Sequence, residues 1–371
     1  MRIVADENMP ALTPFESQGQ VTRVNGRTLT RNQLKDTEVL LVRSVTHVDR
    51  ALLEGTPVRF VGSATIGTDH IDRQALDDLG IAFAHAPGCN ARAVVEYVLQ
   101  ALLLACHKQG RSLRESRVGI VGLGNVGGRL ADWLNALGVT VIGCDPPLAR
   151  AGARTPVPLD PLDAALEADL ISLHVPLTRD GDDASHHLID AERLARLGPD
   201  QTLISTCRGP VIDNRALAAR LEQEDAPLTL LDVWENEPCP DPALLDRVFL
   251  GSPHVAGYSV EGKWRGTAML YQAWCRWRGE SAPEMAPPTE GAELDAPVHD
   301  EADLLALLRR AYRLHEDDAR LREAVRAPDP GVAFDTLRKN YPPRHELLYW
   351  RHRGDVAAPF KPLVSRLFAP E

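Results

Sequence analysis

The chain has no long apolar run. Its longest candidate, Ala93 to Cys106, is interrupted by Glu96 and falls short of the roughly 18 uncharged residues that a bilayer requires, so no membrane span is expected. The opening Met1-Arg2-Ile3-Val4-Ala5-Asp6 lacks a basic segment followed by an apolar one, so no secretion signal is visible and a cytoplasmic protein is expected. Paired cysteines are missing too. Cys89, Cys106, Cys144, Cys207, Cys239 and Cys275 stand singly, with no Cys-x-x-Cys and no metal-ligand spacing, and read as reduced, small, partly buried residues. Positive charge is in deficit: 41 Lys and Arg against 52 Asp and Glu leave a formal charge of −11, which repels a phosphate backbone and an anionic membrane surface. Neither nucleic acid nor a membrane is expected as a partner, and an anionic substrate must be caught by a local basic pocket. No internal repeat is present, and no low-complexity run outside one proline-rich stretch.

What is present is the balance of an ordinary folded protein, 44% hydrophobic and 25% charged, and 371 residues at roughly 100 to 200 per domain make two or three domains. Short apolar runs, Val39 to Val42, Phe60 to Gly62 and Ile81 to Phe83, alternate with amphipathic stretches in the rhythm of βαβ units. Ala91 to Lys108 has Val94, Val95, Val98, Leu102 and Ala105 at helical spacing and suits a helix joining two domains. A second series follows, with buried strands expected at Arg117–Val121, Val139–Cys144, Asp169–His174, Thr202–Ser205 and Leu228–Asp232, a complete doubly wound unit. Glu261 to Trp277 reads as a helix folding back on the first domain. From Gly279 to Asp303, Pro283, Pro287, Pro288 and Pro297 lie among many acids, the composition of an extended, solvated linker. Beyond it, Leu304, Leu307, Leu308, Ala311, Tyr312 and Leu314 make an amphipathic helix, and Phe334, Leu337, Tyr341 and Leu347 to Trp350 add a small apolar set. This tail is too short for a large core of its own, and packing against a second copy would remedy that.

Val118 to Val121 leads directly into Gly122-Leu123-Gly124-Asn125-Val126-Gly127, the G-x-G-x-x-G spacing, with Leu130, Leu134 and Leu137 in helical register behind it. Such glycines allow a tight turn and close approach of a pyrophosphate to a helix N-terminus. The next strand ends in Cys144-Asp145, where an acid can bond both ribose hydroxyls and repel a 2′-phosphate. NAD is therefore expected over NADP. Three further segments begin at strand ends of the same series: Ser205 to Asp213 with Arg208, Leu231 to Pro238 with Asp232 and Glu237, and Ser252 to Gly257 with His254. Arg208 suits a carboxylate and its neighbouring carbonyl, His254 a proton transfer near neutral pH, and Glu237 the far nitrogen of that ring. Asp232 fits a contact on the nicotinamide side, with a turn residue as the plainer alternative.

At these residues the sequence resembles the D-isomer-specific 2-hydroxyacid dehydrogenases, over roughly the first three quarters of the chain. Ala5 to Pro10, Val42 to Thr46, Gly62 to Asp72, Ala86 to Asn90 and Ala256 to Ser259 are similar to one group within that family, the erythronate-4-phosphate dehydrogenases of pyridoxal phosphate biosynthesis. The resemblance implies an α/β fold: a flavodoxin-like substrate domain over 1–92 with 258–280 folded back, a Rossmann NAD domain over 93–257, and over 281–371 a linker plus a small α/β or helical dimerisation domain. It implies oxidation of 4-phospho-D-erythronate at C2 to the 2-oxo acid by a homodimer, with Arg208, Glu237 and His254 catalytic. It further implies Ser44, Thr65 and Tyr258 on the substrate, and Gly122, Gly124, Asn125, Val126, Gly127, Asp145, Cys207, Asp232 and Gly257 around NAD. Arg43 is an additional candidate for the phosphate.

No metal is expected. Asp69, His70 and Asp72 sit in a glycine-rich loop better explained by turns, and His186-His187 reads as an exposed loop pair. Two rival functions remain: a related enzyme such as phosphoglycerate dehydrogenase, which often carries a βαββαβ tail unlike the helical, proline-bearing one here, and a nonenzymatic NAD-sensing corepressor, which would leave the substrate hydroxyls idle.

Overall fold

The central strands of the two large sheets, such as Val39–Val42, Phe60–Ser63, Leu170–Leu173 and Thr202–Ser205, are buried without alternation, the pattern of parallel sheets covered on both faces. The computed structural model describes residues 1–288, 291 and 293–369, and they divide into two units: Met1–Asn90 with Ser259–Thr289, and Ala91–Tyr258 with Glu290–Glu371.

In the first unit β1 (Arg2–Asp6), β2 (Gln20–Val24), β3 (Val39–Val42), β4 (Phe60–Ser63) and β5 (Ala82–His85) form a parallel sheet in the order β2-β1-β3-β4-β5. This is the flavodoxin-like arrangement, with its switch point between β1 and β3. Val4 lies opposite Leu40, and Leu41 opposite Gly62. One face is packed by Phe15, Phe60, Leu270, Tyr271 and Trp274, and the other by Leu34, Leu40, Val61 and Leu76. The Val260–Arg278 helix therefore belongs to this unit's core, and it ends at Gly279 in the left-handed conformation that glycine tolerates.

In the second unit β6 (Arg117–Val121), β7 (Thr140–Cys144), β8 (Leu170–Leu173), β9 (Thr202–Ser205), β10 (Leu228–Leu231) and the short β11 (Leu250–Gly251) form a parallel sheet in the order β11-β10-β9-β8-β6-β7. After β7 the chain crosses over β6 to begin β8. The strand order reverses there, so the carboxyl ends of β6 and β8 mark the ligand crevice of an open α/β sheet. The Ala91–Gln109 helix is buried on every side from Ala91 to Cys106, including Arg92, Glu96 and Gln100.

The tail departs from expectation. Leu304, Leu307, Leu308, Tyr312 and Leu347 share one core with Val98, Leu102 and Leu134, while Leu321, Val325 and Phe334 join a second with Leu244 and Leu245. These residues are buried against their own chain, while Leu337, Tyr341, Leu348, Tyr349 and Trp350 are half-buried and Val332 is exposed. The physical reason lies in the Ala91–Gln109 helix, whose polar positions are also buried: Gln100 donates to the Tyr312 carbonyl at 3.0 Å, and Glu96 accepts from the Leu347 N–H at 2.9 Å. A stripe of apolar spacing identifies only one face of such a helix.

The expected linker is likewise shorter than its composition suggests. Thr289, Glu290 and Ala292 lie outside the described residues, but β12 (Glu293–Asp295) pairs in parallel with β13 (Arg351–Arg353), and Leu294, Ala296 and Val298 are buried. The helices Glu301–Ala311, Leu314–Ala324, Pro330–Lys339 and Lys361–Phe368 complete the tail.

Candidate active site

Each glycine of the loop after β6 meets a different constraint. Gly122 has φ +89°, and a Cβ there would lie 2.8 Å from the backbone of His174 at the end of β8. At Gly127 a Cβ would come within 1.8 Å of the Gly122 carbonyl, so only glycine lets the Gly127–Leu137 helix begin so close to the strand. At Gly124 a Cβ would meet nothing within 4 Å. Gly124 and Asn125 are exposed, Val126 is half-buried, and no side chain caps the helix that follows. An exposed glycine beside an uncapped helix start is the cradle a pyrophosphate needs, so these residues fit a dinucleotide. Asp145 follows β7 and holds the loop itself: Oδ2 accepts from the Leu123 N–H at 2.8 Å, and Oδ1 from the Leu148 N–H at 3.0 Å.

The loop after β11 is built around one carboxylate. Asp232 is 1% exposed. Its Oδ1 accepts from the Ser252 hydroxyl at 2.6 Å and the Val255 N–H at 2.8 Å, and its Oδ2 from the Ala256 N–H at 3.0 Å. Its carbonyl accepts from the His254 N–H at 2.7 Å. Ser252 spends its proton on Asp232, so the Tyr97 hydroxyl, 2.8 Å away, is the donor to Ser252. Burial pushes the Asp232 carboxyl up, against the pull of His254 and of these donors. His254 has φ +56°, a conformation that costs a non-glycine residue energy and is retained because the surrounding bonds fix it.

His254 Nδ1 lies 2.8 Å from Glu237 Oε2, while Glu237 Oε1 accepts from the Trp234 N–H at 3.0 Å. Burial acts to raise the Glu237 carboxyl, but His254 and Arg338 outweigh it and hold the group below its ordinary value. With Nδ1–H donating to Glu237, Nε2 carries the lone pair that can take a proton. Arg208 follows β9, its guanidinium donating to the Cys207 carbonyl at 2.8 Å. A Cβ on Gly209 would lie 2.0 Å from the Trp234 carbonyl, so the Arg208 segment and the Glu237 loop are locked together. Cys207 is buried, 3.6 Å from the Ser205 hydroxyl, and burial pushes its thiol up, which makes it a poor nucleophile. Half-buried Tyr258, after Gly257, meets Tyr341 edge-on at 5.7 Å.

Arg208, Asp232, Glu237, His254 and Tyr258 thus belong to the second unit with the glycine loop, while Ser44 and Thr65 follow β3 and β4 of the first. The Thr65 hydroxyl bonds the Gly67 carbonyl at 2.8 Å and the Ser63 hydroxyl at 2.7 Å. Of the acidic loop, His70 bonds Ser63 at 2.9 Å and Asp72 caps the Arg73–Asp78 helix, which are turn and cap roles. The His186-His187 pair is not the exposed pair expected. Both rings are half-buried and stacked at 4.1 Å, and His187 Nε2 lies 2.7 Å from Glu235 Oε1. Glu235 in turn accepts from the Asn214 N–H, so the pair secures the loop that carries Glu237.

Two residues were missed from sequence. His174, whose backbone walls Gly122, is pushed down to about 3 by burial and is neutral in the site. A histidine closing a strand beside the glycine loop was the available signal. Tyr97 had none, being one apolar position among many on its helix.

Residues 99–256 match the D-isomer specific 2-hydroxyacid dehydrogenase, NAD binding domain, and residues 285–351 match a domain of unknown function, DUF3410. Over 356 residues the chain is 51% identical to an erythronate-4-phosphate dehydrogenase of Marinobacter nauticus, with 93% of each chain covered. It is 49% identical over 358 residues to that of Pseudomonas aeruginosa, covering 94% of this chain and 93% of the relative. Among solved structures, the D-lactate dehydrogenase of Aquifex aeolicus complexed with NAD and lactic acid aligns with a TM-score of 0.62 at 23% identity, over 76% of this chain and 96% of that one, a likeness of fold. With a glycine cradle that fits a dinucleotide and half of its residues shared with such relatives over nearly its whole length, the chain belongs to the erythronate-4-phosphate dehydrogenase family of D-isomer-specific 2-hydroxyacid dehydrogenases and is an NAD-dependent oxidoreductase.

Proposed function

We propose that the protein oxidises 4-phospho-D-erythronate at C2 to 2-oxo-3-hydroxy-4-phosphobutanoate, a step toward pyridoxal phosphate. The observation that carries the chemistry is the 2.8 Å contact between Glu237 Oε2 and His254 Nδ1, which leaves Nε2 to accept the hydroxyl proton. Arg208 holds the carboxylate with a planar fork and draws charge from the developing carbonyl. Asp232 fixes the turn bearing His254, and its Oδ2, with one donor among the described residues, retains capacity for a carboxamide N–H. Ser44, Thr65 and Tyr258 contribute hydroxyls to a polyhydroxylated chain. Gly122, Gly124, Asn125, Val126 and Gly127 cradle the pyrophosphate of NAD, Asp145 faces the ribose, and Cys207 and Gly257 line the crevice. When bound, NAD supplies the acceptor for the hydride leaving C2.

The identities of 51% and 49% to erythronate-4-phosphate dehydrogenases support this substrate over 3-phosphoglycerate. The test is initial-rate NADH formation with each acid: the reading expects kcat/KM at least about 100-fold higher for 4-phosphoerythronate, and equal values would overturn it. A homodimer is inferred on the resemblance. A single monomeric boundary in sedimentation at micromolar concentration contradicts it. A cytoplasmic setting is supported by six thiols outside any disulfide, five of them buried.

A further inference from the structure

The Pro330–Lys339 helix of the tail carries Arg338 in its last turn. The residue is 8% exposed, and its Nε has no hydrogen-bond partner among the described residues. Its guanidinium carbon lies 5.7 Å from the centre of the Tyr258 ring and 6.0 Å from that of Phe334. The carboxylates whose charge acts on it are Glu237, Asp335 and Asp232. Glu237 is already engaged by His254 and Trp234, and Asp232 by Ser252, Val255 and Ala256.

A cation at a helix C-terminus gains modestly from the helix dipole. That gain does not require burial, and a guanidinium withdrawn from water without full bonding loses stability. Arg344, on the following segment, also has a buried Nε without a partner among the described residues, but its two terminal nitrogens donate to the Ala256 and Ala93 carbonyls and it lies 3.6 Å from Glu96. Arg338 has the burial without that bonding, with its guanidinium against the Tyr258 ring.

We propose that Arg338 is an anion-binding residue of the active site, supplied by the C-terminal module to take the phosphate end of the substrate. The inference rests on the function proposed above and extends it. Arg208 follows β9 and suits the C1 carboxylate, so the phosphate of the same molecule needs further cations, of which Arg43 is the candidate from sequence and Arg338 the one the second unit offers. A planar fork in a water-poor setting is the group that binds a phosphate most strongly. The tail then has a part in choosing a phosphorylated substrate as well as in completing the core.

The test uses the full chain with Arg338→Met and Arg338→Lys. Inorganic phosphate is expected to raise the thermal midpoint of the unsubstituted protein, with its apparent affinity falling at least about tenfold in Arg338→Met and less in Arg338→Lys. In NADH formation, kcat/KM for 4-phosphoerythronate should fall about 100-fold, and the loss on unphosphorylated erythronate should be at least about tenfold smaller. Equal losses on the two acids, or unchanged phosphate protection, overturn the proposal, as does a lowered midpoint with phosphate affinity intact. If Arg338→Met does not fold, Arg338→Lys decides alone by its phosphate affinity. Should the unsubstituted protein ignore 4-phosphoerythronate while its phosphate protection still depends on Arg338, the anion site stands and the substrate reading falls.

Discussion

Glu237 accepts from the Trp234 N–H with one oxygen and from the His254 ring with the other, so it orients the ring. Its carboxyl is held below the ordinary value of 4.5, which fixes the sign of its effect on stability. The pair stabilises the fold above the ordinary carboxylate range, and the contribution is lost as pH falls through the lowered value. Glu237→Gln should therefore lower the thermal midpoint at neutral pH and converge with the unsubstituted protein in strong acid. Turnover should fall about 10- to 100-fold, because one amide oxygen cannot serve both the Trp234 N–H and the ring and the carboxylate charge beside the ring is lost. Midpoints that differ equally at every pH would show a packing defect instead. Arg208, Glu237 and His254 were legible in the sequence because each follows an apolar strand in a fixed order. Arg338 was not, since one arginine among many on amphipathic helices has no spacing that distinguishes it.

The elements put this chemistry at the carboxyl ends of parallel strands, and their boundaries follow the apolar runs closely: β6, β9 and the start of β10 begin where the sequence places them. The short β11 escaped because two residues carry no period. Within the β6 loop, the three glycines separate structural need from ligand need. Gly127→Ala should unfold or strongly destabilise the second unit, because its Cβ would fall 1.8 Å from the Gly122 carbonyl. Gly124→Ala has open space and should fold with an unchanged thermal midpoint, yet bind NAD at least about tenfold more weakly, since the added methyl occupies the approach of the pyrophosphate. Calorimetric titration with NAD checks this. Equal affinity in Gly124→Ala would remove the pyrophosphate from that loop.

For the molecule as a whole, the unexpected feature is how the tail is anchored. Composition described it as a linker and a small apolar set, but a sequence pattern cannot show that Glu96 and Gln100, on a helix read as amphipathic, face a protein interior. Glu96 is fully buried, and burial pushes its carboxyl up to about 8 in spite of Arg344, 3.6 Å away. Between the ordinary value of 4.5 and about 8 the folded chain holds a proton that the unfolded chain has released. Stability from this group is full below the ordinary value and is lost as pH rises through about 8, with a slope of up to about 1.4 kcal/mol per pH unit. Glu96→Gln should flatten that fall, read as urea midpoints at about pH 6 and about pH 9. Parallel declines in both proteins would mean that Glu96 is ionised in the fold.

The central claim, that Arg208, His254 and Glu237 serve removal of hydrogen from C2 of 4-phosphoerythronate, is tested most directly by labelling that hydrogen. With substrate deuterated at C2 and NAD in excess, mass spectrometry of the reduced cofactor should find one deuterium per NADH formed, and His254→Gln should lower the rate of this transfer by about 100-fold or more while NAD still binds. Unlabelled NADH, or transfer that persists at the original rate without His254, would contradict the account.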